Sequence, residues 1–297
     1  TDGANTDTFI AAGDLEADTD YLVIYNAGYG GAGSNNEVGA RITYGSTVWG
    51  RSVDEGSGSG EPEAVRIHQL SGFAVIPGTG TDELRIKHTN ANSGRTSYIQ
   101  GKSIIAVPLD QLVEGSDYFV SQHNGDDIEG STSNSTTTIR SATFDLPDAG
   151  DYLVLASMEA TMTNGANNGG SLMRLQINGS TQKMEWEKEW ETNNQSQNFA
   201  YARIHNLSAG ESTFELQGGV SQGSRTASFR RSRIILLRAA AYDQMTSTTT
   251  DAQSSTSASF ETSDSNGQYG WDDWLTITYT PNQSEDVVVI GNGFAWQ

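Results

Sequence analysis

The chain has 297 residues, 17 Lys and Arg against 37 Asp and Glu, a formal charge of −20 and no cysteine. That charge repels phosphate backbones and disfavours nucleic acid as a partner. The missing thiols exclude disulfides and cysteine catalysis, and no apolar run reaches the ~18 residues of a membrane span. Thirty-three Gly with only 5 Pro, set among abundant Ser, Thr and Asn, suit short strands joined by polar turns. The first residue is Thr1, as expected of a processed chain or a piece of a longer one.

Along the chain the first strand signal is Tyr21–Tyr25, a short apolar run following Asp20. Arg41-Ile-Thr-Tyr-Gly then runs into a glycine turn suited to a hairpin. Further on, Tyr152–Ala156 repeats the apolar run after the turn Leu146-Pro-Asp-Ala-Gly-Asp, and Arg174-Leu-Gln-Ile-Asn-Gly repeats the hairpin signal. Ser212-Thr-Phe-Glu-Leu-Gln alternates polar and apolar, and Arg233-Ile-Ile-Leu-Leu reads as a buried central strand.

Self-similarity organises these signals. Asp20-Tyr-Leu-Val-Ile recurs as Asp151-Tyr-Leu-Val-Leu and loosely as Asp286-Val-Val-Val-Ile; Arg66-Ile-His-Gln-Leu-Ser recurs as Arg203-Ile-His-Asn-Leu-Ser. Ile104-Ile-Ala-Val matches Ile234-Ile-Leu-Leu, and Asp110-Gln-Leu matches Asp243-Gln-Met. Matches in one order with drifting offsets predict duplicated units: 1–115, lacking its first strand; 116–242, complete; and 243–297, the opening strands of a third unit or a segment donated to a neighbouring subunit. Eight to ten short strands in each full unit predict an all-β sandwich.

Gly150-Asp-Tyr-Leu-Val, Asn178-Gly, Leu207-Ser-Ala-Gly and Arg233-Ile-Ile-Leu-Leu stand in an order that resembles jelly-roll domains of the tumour-necrosis-factor/C1q type. The stretch from Ser257-Ala-Ser-Phe through Leu275-Thr-Ile-Thr-Tyr-Thr-Pro to Val287-Val-Val-Ile is similar to openings of such domains in phage fibre and decoration proteins. The resemblance implies tandem jelly rolls, two near-complete and one partial. It implies a structural protein of an extracellular assembly or virion surface, partnered with copies of itself (three by analogy) and with other structural proteins. A cell-surface adhesin or filament subunit, and a carbohydrate-binding module, are the alternatives. No functional residue carries over.

The residues offer little chemistry. Gly28-Tyr-Gly-Gly-Ala-Gly33 fits a dinucleotide fingerprint by spacing, but no helix follows to meet a pyrophosphate, so an inter-strand loop is expected. Gly56-Ser-Gly-Ser-Gly60 is a loop tip. His68 and His205 are expected at the same position of two copies, each bonded within its own sandwich, and no spacing among the four histidines fits a metal. The repeated arginines, Arg41 with Arg174, Arg66 with Arg203 and Arg95 with Arg225, are expected to pair with carboxylates. Lys183-Met-Glu-Trp-Glu-Lys-Glu-Trp-Glu191, read as a strand, sets Met184, Trp186, Lys188 and Trp190 against a face of four glutamates. An acidic outer surface is expected there, with a calcium or inter-subunit contact as the sharper alternative; Asp126, Asp127, Glu129, Asp272 and Asp273 are weaker calcium candidates. Trp186, Trp190, Trp271, Trp274 and Trp296 are the candidate interface or glycan contacts. No catalytic, cofactor-binding or metal residue is assigned, and the chain is not expected to be an enzyme.

Overall fold

The computed structural model describes residues 6–31, 36–56, 68–90, 97–124, 129–131, 136–164, 169–182, 186–190, 196–220 and 226–241. It is all-β: among the described residues there is no α-helix, and Ala239–Ala241 forms a single 3-10 turn.

In the first half, β1 (Thr6–Ile10), β6 (Leu84–Asn90), β3 (Asn36–Tyr44) and β4 (Thr47–Gly56) pair in that order. They face a three-stranded sheet ordered β5 (His68–Pro77), β2 (Asp20–Gly31), β7 (Ser97–Pro108). In the second half, β10 (Thr137–Leu146), β16 (Gly210–Val220) and β12 (Gly169–Ile177) pair in order, with β13 (Ser180–Thr181) and β14 (Trp186–Trp190) both on the far side of β12. Opposite them lie β15 (Ser196–Leu207), β11 (Gly150–Asn164), β17 (Thr226–Arg238) and β8 (Tyr118–Gln122), with β9 (Glu129–Ser131) also on β17. One bridge, Ser196 to Val53, joins β15 to β4 and makes a nine-stranded sheet across the halves.

The turns follow from their residues. Asn178 and Gly179, at φ 51° and 75°, link Ile177 to Ser180 in a two-residue hairpin, the conformation that Asn-Gly adopts with least strain. Gly45, at φ 57°, serves the equivalent turn between Tyr44 and Thr47.

Register ties two of the predicted repeats together, the runs at Tyr21 and Tyr152 and those at Ile104 and Ile234. Strand β2 lies between β5 and β7 as β11 lies between β15 and β17. Tyr21 stands opposite Ile76 and Pro108; Tyr152 stands opposite His205 and Arg238. The histidine match fails on this register. His205 is level with Ile76, an offset of 205 − 76 = 129, whereas His68 lies opposite Tyr29 at the other end of β5. The sequence match, at an offset of 137, was therefore out by eight residues. An even slip keeps every side chain on its proper face, so hydrophobic alternation could not reject it. The glycine-rich stretch differs from expectation too: Gly28 to Gly31 belong to β2, paired with β7, and are not loop.

Three apolar clusters show how the sheets stack. Tyr21, Val23, Ala27, Ile42, Ile76 and Leu84 fill the first sandwich. Val154, Ala156, Leu175, Phe214, Ile234 and Leu236 fill the second. Between them Leu22, Phe73 and Val75 meet Leu155, Ile235 and Leu237. The sheets carrying β2 and β11 are thus covered on both faces. This explains their unbroken apolar runs, as opposed to the alternation of β16, which has one wet face. The halves are pressed face to face, not strung as separate beads.

Candidate functional site

The polar centre of the molecule lies in that inter-sandwich layer. It starts from a bulge in β17: Ser157 of β11 pairs with Arg233 and Glu159 with Arg230, leaving Arg231 and Ser232 together opposite Met158. Arg231 takes φ 49°, a left-handed conformation that costs a non-glycine residue roughly 1–2 kcal/mol. The extra residue resets the alternation. Arg230, Arg231 and Arg233 consequently all turn toward the first half, on the face that carries Ser157 and Glu159.

Glu159 is fully buried and accepts from two of these arginines, Arg230 Nε at 2.8 Å and Arg231 Nη1 at 2.5 Å. Arg230 also donates to Thr161 Oγ1 at 3.3 Å. Arg231 reaches across to the first half, its Nε 3.3 Å from the carbonyl of Val48. Arg233 is only 1% exposed. It donates to the carbonyl of Trp49, to Asn124 Oδ1 at 2.7 Å and to Tyr25 Oη at 3.4 Å. Its guanidinium carbon stands 5.7 Å from the centre of the Trp49 ring, within cation–π range. Arg233 Nε and Trp49 Nε1 have no hydrogen-bond partner among the described residues.

Tyr25 reaches this centre from β2 through a slot kept open by two glycines. A methyl at Gly50 or Gly72 would overlap its hydroxyl. Burial pushes the Tyr25 phenol up, against the pull of Arg233, and burial draws the Arg233 guanidinium down. The pair is a neutral phenol beside a cation.

Side chains of the second half also cap the free edge of β5. Gln122 Nε2 donates to the carbonyl of Val75 at 2.7 Å, and its Oε1 accepts from the Val75 amide at 3.1 Å. Ser157 Oγ donates to the carbonyl of Phe73 at 3.2 Å and accepts from its amide at 3.5 Å. Tyr29 Oη, Ser52 Oγ and the carbonyl of Ser196 continue the chain of contacts, at 2.6 Å and 3.2 Å. An edge strand that would otherwise offer unpaired backbone groups to other chains is sealed from within.

The centre buries Tyr25, Glu159, Arg231 and Arg233 and leaves Arg230, Gln122 and Asn124 partly exposed. It is a lock between two sandwiches. Among the described residues no group of three His, Asp or Glu is placed to hold a metal.

The predicted site residues lie elsewhere. Trp186 and Trp190 are in β14, paired with Met173 and Gly169, as the strand reading expects; their side chains, and that of Glu129 in β9, are outside the description. Trp271, Trp274, Trp296, Asp126, Asp127, Asp272 and Asp273 lie outside the described residues. Of the repeated arginines, Arg174 donates to Gln217 Oε1 at 2.7 Å and Thr136 Oγ1 at 2.8 Å; Arg66, Arg95 and Arg225 lie outside the described residues. His205 shares a 2.6 Å hydrogen bond with Tyr201 of its own strand, and His68 lies 5.5 Å from the ring of Tyr29. Sequence reasoning missed Glu159, Arg230, Arg231, Tyr25 and Trp49. The available signal was Arg230-Arg-Ser-Arg233, three cations in four residues running into a buried strand of an acidic chain.

No family model matches the chain, and no curated protein matches it. Solved structures do. Infectious bursal disease virus, Gt strain, matches at TM-score 0.33 and 12% identity over 77% of this chain and 60% of that one. PNGF-II matches at 0.36 and 9%, over 83% and 60%. The infectious bursal disease virus VP2 subviral particle matches at 0.32 and 11%, over 76% and 59%. The chain spans about three fifths of the length of each. Likeness this faint assigns no function.

Proposed function

We propose that the chain is a structural component of an extracellular assembly, a virion fibre, appendage or capsid-decoration protein, that bears load and turns over no substrate. The observation that carries this reading is the lock itself. Two sandwiches share an apolar layer, Glu159 within it is shared by Arg230 and Arg231, and the β5 edge is capped by side chains from the opposite half. Such construction resists shear between layers and leaves outer faces and loops for assembly. The acidic surface keeps such a β-rich body soluble until it is placed.

The division at about residues 115 and 242 into tandem jelly rolls of the tumour-necrosis-factor/C1q type belongs to this proposal. It is supported by the ten strands of the second half, β8 to β17, lying five on each side of one core, with β2, β5 and β7 arranged as β11, β15 and β17. Assembly with copies of itself, three by the resemblance, and with other structural proteins follows from the same reading.

Antibodies against the recombinant chain should decorate the outside of intact extracellular particles from the source culture, and the chain should sediment with them at fixed stoichiometry. Recovery of the chain only as free protein, never with particles, rejects the role.

A further inference from the structure

Arg233 is the charge that the lock leaves unbalanced. Glu159, the carboxylate at the centre, is shared by Arg230 and Arg231. Among the described residues no carboxylate forms an ion pair with Arg233, although its side chain is almost wholly buried. Its Nη1 donates to Tyr25 Oη, and its Nη2 donates to the Trp49 carbonyl and to Asn124 Oδ1. All three acceptors are neutral. The Tyr25 phenol keeps its proton, which it directs to the Trp49 carbonyl at 3.4 Å, and burial favours that form. Of the buried side chains at the centre, then, two are cations, Arg231 and Arg233, and one is an anion, Glu159. A cation taken out of water is costly unless an opposite charge accompanies it.

Two donors beside this charge are also unpaired. Arg233 Nε and Trp49 Nε1 are buried without a hydrogen-bond partner among the described residues. They belong to side chains already in contact, the guanidinium carbon lying 5.7 Å from the indole centre. An interior N–H with no acceptor forfeits the bond that it made to water. Arg233 stands on β17 of the second half and Trp49 on β4 of the first, so an acceptor common to both sits in the joint.

That acceptor has to be negative, to take N–H donors and to bring no donor of its own. Water accepts the bonds but leaves the charge as it was. A dianion overshoots one uncompensated cation. A bulky organic anion does not suit a layer filled so closely that a methyl at Gly50 or Gly72 would overlap the Tyr25 hydroxyl. A halide meets each demand.

We propose that Arg233 Nε and Trp49 Nε1 bind one small monovalent anion, chloride in ordinary media, in the joint between the two sandwiches. The ion neutralises Arg233 and ties β17 to β4, so the joint tightens where chloride is plentiful. The site is internal to one chain and stands independently of the assembly role.

The formal charge of −20 repels anions from the outer surface, so a response to chloride at fixed ionic strength reports a built site. The unmodified chain and Trp49→Phe are unfolded in urea while sodium chloride replaces sodium gluconate, whose anion is too large for the joint. A ligand that binds only the folded state divides the unfolding constant by 1 + [L]/Kd. For the unmodified chain the constant should fall ~10-fold for each tenfold rise in chloride above the Kd. Trp49→Phe keeps an aromatic ring and the backbone carbonyl but loses the indole donor, and its response should move to about 10-fold higher chloride. Equal unfolding constants in the two salts overturn the site, and an identical chloride response in both proteins overturns its place. A second measurement needs no variant. Of the six indole N–H resonances of the unmodified chain, one should shift with chloride and saturate over the range that stabilises the fold. No shift, or an equal drift of all six, overturns the proposal.

Discussion

Arg231 and Gly101 occupy the same bulge in the two halves, at φ 49° and 57°. Gly101 and Lys102 stand opposite Ala27 of β2, as Arg231 and Ser232 stand opposite Met158 of β11. Glycine takes this conformation without strain, and arginine does not. The second half tolerates the strain because Arg231 is held at its far end by Glu159 and by Val48 of the first half.

Replacing Arg231 separates these effects. Arg231→Ala removes the ion pair and keeps a side chain in the left-handed region, so a loss of about 3 kcal/mol is expected. Arg231→Gly loses the same contacts but relieves the backbone, and should be more stable than the alanine variant by about 1 kcal/mol. This reverses the usual order for a strand interior, where glycine is the worse residue. Urea midpoints of the two variants decide it; alanine equal to or above glycine would show that the bulge carries no strain.

Glu159 is the carboxylate that Arg230 and Arg231 share, and it is wholly buried. Glu159→Gln leaves neighbouring cations desolvated without it, and a loss of 3–5 kcal/mol is expected on the order found for broken buried pairs. Asp148→Asn breaks the pair with Arg238 at the surface, where the aspartate is 59% exposed; that loss should stay below about 1 kcal/mol. Comparable losses from the two variants would contradict the placing of the lock.

The layers were legible where burial writes itself into composition. Tyr21-Leu-Val-Ile-Tyr and Tyr152-Leu-Val-Leu-Ala are apolar at successive positions because both faces of their sheets are covered. Ser212-Thr-Phe-Glu-Leu-Gln alternates because one face is wet. The lock was not legible. It depends on one residue in the left-handed region that shifts the alternation of β17, and a periodic pattern carries no mark of that shift until the partner register is known. Its other members, Tyr25 and Trp49, come from strands about 200 residues away, where they read as ordinary core aromatics. The histidine pairing failed for the related reason that an even slip preserves every face.

The capping of β5 predicts a local effect. Gln122→Ala leaves the amide and carbonyl of Val75 without the partners they have, and Ser157→Ala does the same at Phe73. Each should cost about 1–3 kcal/mol. Hydrogen exchange should speed at Val75 in the first variant and at Phe73 in the second, with the amides of β16 unchanged. Uniform acceleration across both halves would mean that the caps act only through global stability.

His205 gives the stability a pH dependence of known sign. Burial, reinforced by the charge of Arg203, lowers its pKa to about 4, while the Tyr201 phenol beside it is pushed up to about 12 by burial. The folded ring thus stays neutral where the unfolded one, near 6.5, takes up a proton. Where the unfolded chain binds more protons, stability falls as pH falls. The contribution of this site is complete above about pH 6.5, drains as pH drops toward 4, and is flat below. The full shift would be worth about 3 kcal/mol; because the ring is only partly buried, about 1–2 kcal/mol is expected. Carboxylates begin to titrate at the bottom of the same window, so the quantity to measure is a difference. Between pH 7.5 and 5.0 the unmodified chain should lose about 1 kcal/mol more in urea unfolding than His205→Gln does. Parallel losses in the two proteins would place the histidine in water in the folded state, free of both Tyr201 and the sheet.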